Sequence, residues 1–116
     1  MNFLRNNGVE IWIVTASAEP VVCQTMKHFE IGANLIGVRN IITDGRLTAE
    51  LEKPIPMVEG KVECIKKFIS ERSKPFLGVG DSINDLPMLE YSEIKVAVNR
   101  QNALSERARK NGWVVI

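Results

Sequence analysis

Aspartate is scarce in this chain: it stands at only three positions, 44, 81 and 85, and no two of them form an Asp-x-Asp pair. Cysteine occurs twice, as Cys23 and Cys64, each inside a segment with helical periodicity. That placement fits reduced, packed thiols and argues against a disulfide framework or a cysteine metal site. Aromatic residues make up 6%, and 15 basic against 14 acidic side chains leave a net charge of +1 with no basic run. Nothing there forms a nucleic-acid footprint, whereas a small anionic substrate stays open. No apolar run approaches the roughly 18 residues of a membrane span, and no signal-peptide pattern opens the chain. The expectation is a cytoplasmic protein with no membrane partner. A length of 116 residues allows one domain at most.

What is present alternates between strand and helix. Val9 to Ala16 is β-branched and nearly continuously apolar, as in a parallel-sheet strand buried on both faces. Ahead of it, Phe3 to Gly8 reads as the last turn of a helix closed by glycine, as though the chain starts in mid-element. Pro20 opens a second helix whose inner face would carry Val22, Met26 and Phe29, ending at Gly32. Asn34 to Val38 reads as a strand, and Ile41 to Thr48 as a hairpin about Asp44-Gly45, which makes Asp44 a turn residue. A helix after Glu59-Gly60-Lys61 would bury Val62, Ile65, Phe68 and Ile69. There follow a strand at Phe76 to Val79, a short helix around Leu86 to Glu90, an edge strand at Lys95 to Val98, a helix at Ala103 to Lys110 stopped by Gly112, and an apolar tail from Trp113 to Ile116. The fold class is α/β, a Rossmann-like parallel sheet with flanking helices and a small β-hairpin.

In open α/β sheets ligands sit beyond the carboxyl ends of the strands. Three such places carry polar side chains: Thr15-Ala16-Ser17, Lys61, and the loop from Asp81 to Asp85. Together they suit a phosphate monoester and Mg²⁺, which takes about six oxygen ligands, usually one or two carboxylates with phosphate oxygens and water. Each also has a plainer reading. A threonine after a strand serves as a helix-entry hydroxyl, a lysine at a helix start is a surface charge, and Gly-Asp-Ser-x-Asn-Asp forms a turn with an N-cap. Gly78-x-Gly80 is not a dinucleotide fingerprint, because Ile83 occupies the third glycine position.

Taken together and in this order, these segments resemble the haloacid dehalogenase superfamily of phosphatases, in particular its phosphoserine phosphatase-like branch, over essentially the whole chain. Ile11 to Ser17 is similar to that family's second motif, Glu59-Gly60-Lys61 to its third, and Gly80 to Asp85 to its fourth. The resemblance implies phosphate binding by Thr15, Ala16, Ser17, Lys61 and Asn84, with Ser82 also lining the site. It implies Mg²⁺ at Asp81 and Asp85, and catalytic parts for Lys61 and Asp85.

The first motif of that family, an Asp-x-Asp whose first carboxylate attacks phosphorus, has no counterpart here. The resemblance therefore implies an α/β core lacking its first strand, a single partial domain over residues 1–116, truncated at its N-terminus and without room for a cap domain between its second and third motifs, so that any cap would lie upstream. Two functions compete on this reading. One is the C-terminal part of a Mg²⁺-dependent phosphomonoesterase acting on a small phosphorylated metabolite, such as a phosphoserine-like or phosphocholine-like ester. The other is an inactive phosphate or metal-binding module that self-associates. A homo-oligomer or a complementing N-terminal segment would fill the open strand position.

Overall fold

The structure, a computed structural model, describes residues 1–116. The chain divides into two compact units, Met1–Pro56 and Met57–Ile116. No helix is long and apolar enough to cross a membrane.

In the first unit a one-turn helix α1 (Asn2–Asn6) precedes strand β1 (Trp12–Ala18), helix α2 (Glu19–His28) and strand β2 (Asn34–Val38). β1 and β2 pair in parallel with Trp12 opposite Asn34 and Val14 opposite Ile36. Pro20 lies in the first turn of α2, as its missing N–H allows. Gly37 lets the start of α2 lie close against β2, since a Cβ there would come within 2.9 Å of the Glu19 Cα.

Two expectations need correcting here. β1 is half-buried rather than enclosed on both faces, because a sheet of two strands packed on one helix has only one covered face. α2 ends at His28, with Glu30 in the left-handed region at φ 52°, and Phe29 points outward with 66% exposure; of the expected inner face only Met26 is buried.

The unit closes with a hairpin of β3 (Asn40–Thr43) and β4 (Arg46–Leu51). Asp44 and Gly45 have φ of 51° and 73°, the paired positive values that a two-residue turn needs to match strand twist. Asp44 is thus a turn residue, as expected.

The second unit runs through helix α3 (Glu59–Phe68), strand β5 (Leu77–Gly80), helix α4 (Leu86–Tyr91), strand β6 (Ile94–Ala97), helix α5 (Ala103–Lys110) and strand β7 (Val114–Val115). The three strands are parallel in the order β5-β6-β7. β6 is therefore central, not an edge strand, and the apolar tail supplies its second neighbour.

The reason lies at the end of α5. Gly112 adopts φ 69°, the Trp113 N–H donates to the Ala108 carbonyl at 2.8 Å and the Gly112 N–H to that of Arg109 at 3.2 Å. This glycine-terminated C-cap turns the chain back along the sheet and brings Trp113 against the core. That core is Leu89, Ala97, Leu104 and Ala108, all fully buried, with Leu86, Trp113 and Val115 against it.

The inner face of α3 is also displaced from its expected position. Lys61, Cys64 and Ile65 are buried, Val62 is half-buried, and Phe68 and Ile69 are exposed. The expectation holds at Ile65 and in part at Val62 and fails at Phe68 and Ile69, because apolar periodicity gives the buried Lys61 no inward weight. Burial pushes the Cys64 thiol pKa up, the setting of an inert packed thiol.

Truncating Leu104 to alanine should destabilise the protein by about 2–5 kcal/mol, as cavity-forming changes in closed cores do. Phe29→Ala, on an exposed position, should stay within about 0.5 kcal/mol. Urea unfolding of both variants checks this, and equal shifts in midpoint would contradict the assigned core.

Candidate functional site

The loop after β5 is shaped by glycines that admit close neighbours. A Cβ on Gly80 would stand 2.6 Å from the Asp85 Cβ, so only glycine lets the Asp85 side chain fold back against the strand end. Gly78 likewise gives way to α4, where a Cβ would reach 3.3 Å from Leu89 Cδ2 and 2.9 Å from Ser92 Cβ. Both glycines thus admit close packing, of α4 at Gly78 and of the Asp85 side chain at Gly80.

Asp85 ends a 3₁₀ turn, Ile83–Asp85, that leads directly into α4. Its Oδ2 accepts the backbone N–H of Asp81 at 3.0 Å and of Ser82 at 3.2 Å. Its Oδ1 accepts a hydrogen bond from Lys61 Nζ at 2.5 Å. Lys61 is 8% exposed and Asp85 6%, so this is a buried ion pair joining the first turn of α3 to the loop. Burial alone would raise the Asp85 carboxyl pKa. The hydrogen bond and charge of Lys61, with the two backbone donors, outweigh burial and hold it below the usual carboxylate range.

Asp81 is different in kind. Its carboxylate is half-exposed, and its Oδ2 accepts from Arg100 Nη1 at 2.9 Å. Its main-chain oxygen accepts from Asn102 Nδ2 at 2.8 Å. Asn84 is exposed on the same loop. The structure thus brings together Lys61, Asp81, Asn84 and Asp85 in one unit.

Thr15, Ala16 and Ser17 belong to the other unit, at the carboxyl end of β1. There the pairing of β1 with β2 is irregular, with Val14 opposite Ile36 but Ala18 opposite Val38. The bulge frees Thr15 to Ser17 from the ladder, and Thr15 Oγ1 accepts the Ser17 N–H at 3.1 Å. Beside it Arg39 Nε donates to Glu19 Oε2 at 2.7 Å.

Sequence reasoning did not single out Glu19, Arg39, Arg100 or Asn102. All four lie just past strand ends, so the rule that located Thr15 and Asp81 would have reached them as well.

The donor set can be tested against a hard divalent cation. No cluster of three or more His, Cys, Asp or Glu side chains exists. Asp81 fits as one oxygen ligand, with waters and phosphate oxygens completing the shell as is usual for Mg²⁺. Asp85 has both oxygens engaged by Lys61 and the backbone, which suits it to holding the loop and the ammonium.

An open α/β protein with charged groups gathered beyond parallel strand ends is the class defined so far. The chain belongs to the haloacid dehalogenase-like hydrolase family, whose pattern it matches over residues 1–90. It is 31% identical over 116 residues to a histidinol-phosphatase of Neisseria meningitidis, covering 87% of this chain and 52% of that protein. It is 29% identical over 101 residues to a phosphoserine phosphatase of Halobacterium salinarum, covering 83% of this chain and 47% of that one. The chain therefore spans about half the length of these relatives. Among solved structures, a Bordetella pertussis protein of unknown function superposes with a TM-score of 0.83 at 27% identity, over 99% of this chain and 55% of that one. A phosphoserine phosphatase in its apo form shares the fold, with a TM-score of 0.68 at 24% identity, over 99% of this chain and 56% of that one.

Replacing Asp85 by asparagine leaves the Lys61 ammonium buried without a counter-charge and should cost about 3–5 kcal/mol at pH 7. The native Asp85 pKa lies below its unfolded value, so its contribution is complete above the unfolded pKa of about 3.9 and is lost as pH falls through the native value. Urea midpoints measured from pH 7 down to pH 2 should fall more steeply for the native chain than for Asp85→Asn at the acid end; parallel profiles would contradict the pairing.

Proposed function

We propose that this chain supplies the phosphate-binding and cation-binding half of a Mg²⁺-dependent phosphomonoesterase acting on a small phosphorylated metabolite. The observation that carries the reading is the buried Lys61–Asp85 pair set beside the half-exposed carboxylate of Asp81. A buried lysine held by a carboxylate is a fixed positive charge, and it offsets a phosphate dianion without reorganising as charge moves in the reaction. In the first unit Thr15 donates a hydroxyl hydrogen bond to a phosphate oxygen with Ala16 and Ser17 beside it, and in the second unit Asn84 lines the loop that carries Asp81. Asp81 is the direct carboxylate ligand of the cation, and Asp85 holds Lys61 and the loop in place. When bound, Mg²⁺ supplies charge neutralisation and orientation of the phosphoryl oxygens.

A nucleophilic Asp-x-Asp is not in this chain. It would come from a complementing N-terminal segment that adds a strand to the sheet. Relatives named for phosphoserine and for histidinol support a small phosphate ester such as a phosphoserine-like one; a phosphocholine-like ester rests on the family resemblance alone.

A second reading, a self-associating binding module, draws on one observation. β5 lies at an edge of its sheet, and its Leu77 and Val79 side chains stand 46% and 48% exposed. Exposed apolar side chains on an unpaired edge invite another strand or chain.

The two readings separate on one experiment. The chain is combined with an upstream segment carrying an Asp-x-Asp strand, and phosphate release from a panel of small esters is followed with and without Mg²⁺. The phosphatase reading expects Mg²⁺-dependent release that falls at least about a hundredfold in Lys61→Ala and Asp81→Asn. No release from any ester, with a stable oligomer by light scattering, would favour the module.

A further inference from the structure

The loop from β6 to α5 holds Asp81 at two points that the proposed chemistry leaves unexplained. Asn102 grips the main-chain oxygen and Arg100 the carboxylate. The loop is itself anchored: Asn102 Oδ1 accepts the Ser105 N–H at 3.1 Å, and the Arg100 N–H donates to Ser105 Oγ at 3.2 Å. Ser105 is fully buried, so both bonds tie the loop to the inner side of α5. Between the two gripping residues Gln101 adopts φ 52°, a left-handed conformation uncommon for a side chain that is neither Gly, Asn nor Asp.

The two grips differ in what they permit. A bond to the Asp81 main-chain oxygen leaves the carboxylate open, so Asn102 can hold the loop whatever the carboxylate binds. Arg100 occupies a carboxylate oxygen itself, and a guanidinium and a divalent cation repel each other over one anionic group. The Arg100 side chain is 64% exposed and that of Asp81 50%. An exposed pair of this kind is weak and exchanges readily with water. The Lys61–Asp85 pair is buried, so it is not the one to open.

We propose that Arg100 is a latch on Asp81. It orients and neutralises the carboxylate while no cation is bound, and it leaves when a divalent cation arrives, so that cation affinity is set by competition between them. Arg100 is then a positioning residue, with Asn102 holding the loop in both states. The inference rests on Asp81 being the cation ligand, as proposed above.

The test is a titration of the full chain with Mg²⁺ alone, followed by NMR at the Ser82 amide and the Arg100 side-chain N–H groups, for the native chain, Arg100→Gln and Asp81→Asn. Both substitutions are at exposed positions, and circular dichroism confirms that each variant is folded. In the native chain the Arg100 signals should shift in step with that of Ser82. Arg100→Gln should bind Mg²⁺ about two- to fivefold more tightly, the scale of an exposed ion pair. Asp81→Asn should abolish the response. Equal or weaker binding in Arg100→Gln, with binding still lost in Asp81→Asn, overturns the latch and leaves Asp81 as the ligand. No saturable response in any chain, or a response untouched by Asp81→Asn, overturns the latch together with the cation reading beneath it.

Discussion

The buried ion pair between Lys61 and Asp85 is the constraint around which the second unit is arranged. Taking a carboxylate and an ammonium out of water costs several kcal/mol each even after relaxation, and their mutual attraction offsets this only where hydrogen bonds complete the shell. Here the Asp81 and Ser82 N–H groups complete it on the carboxylate side. A pair of apolar side chains in the same place would hold α3 against the loop as well or better. Stability therefore does not account for a lysine at this position; the role we propose for it is an ordered positive charge facing an anionic ligand.

The pair also explains several local features that look unrelated. Gly80 is needed so that the Asp85 side chain can lie against the end of β5, and the 3₁₀ turn before α4 carries that carboxylate back toward its own loop. Pro87 in the first turn of α4 costs nothing, since N–H groups there have no helical partner. In the first unit the same economy of backbone shows in a different form: a bulge near the end of β1 takes Thr15 to Ser17 out of strand pairing. In both units the polar groups sit where a parallel strand gives way to a loop, the position from which ligands are met in open α/β sheets.

How much of this was legible in the residues depends on whether the signal was local. The Asp44-Gly45 hairpin, the bounds of β2, and α5 between Asn102 and Gly112 were readable because turn and cap chemistry act over a few positions. β7 was not, since two valines acquire the identity of a strand only from β6 beside them. The inner face of α3 was legible at Ile65 but not at Lys61, since a lysine faces inward only when a carboxylate 24 residues away meets it. Of the candidate site, Lys61, Asp81 and Asp85 were marked by residue type and order. Arg100 and Asn102 were not, because an arginine and an asparagine in a polar loop look like ordinary surface, and only the tertiary contact with Asp81 distinguishes them.

Gly80 has a consequence for how this loop can drift in evolution. Any other residue type brings a Cβ into the space of the Asp85 side chain. The first atom displaced would be the Asp85 Cβ, then the carboxyl carbon and Oδ2, and with them the Oδ1 that holds the Lys61 ammonium, so a change at Gly80 disturbs a charge that it never touches. Ile83, three positions on, is 45% exposed. Tolerance to substitution along this short stretch thus follows the room left for a carboxylate, and it is narrowest at the position with the least side chain of all.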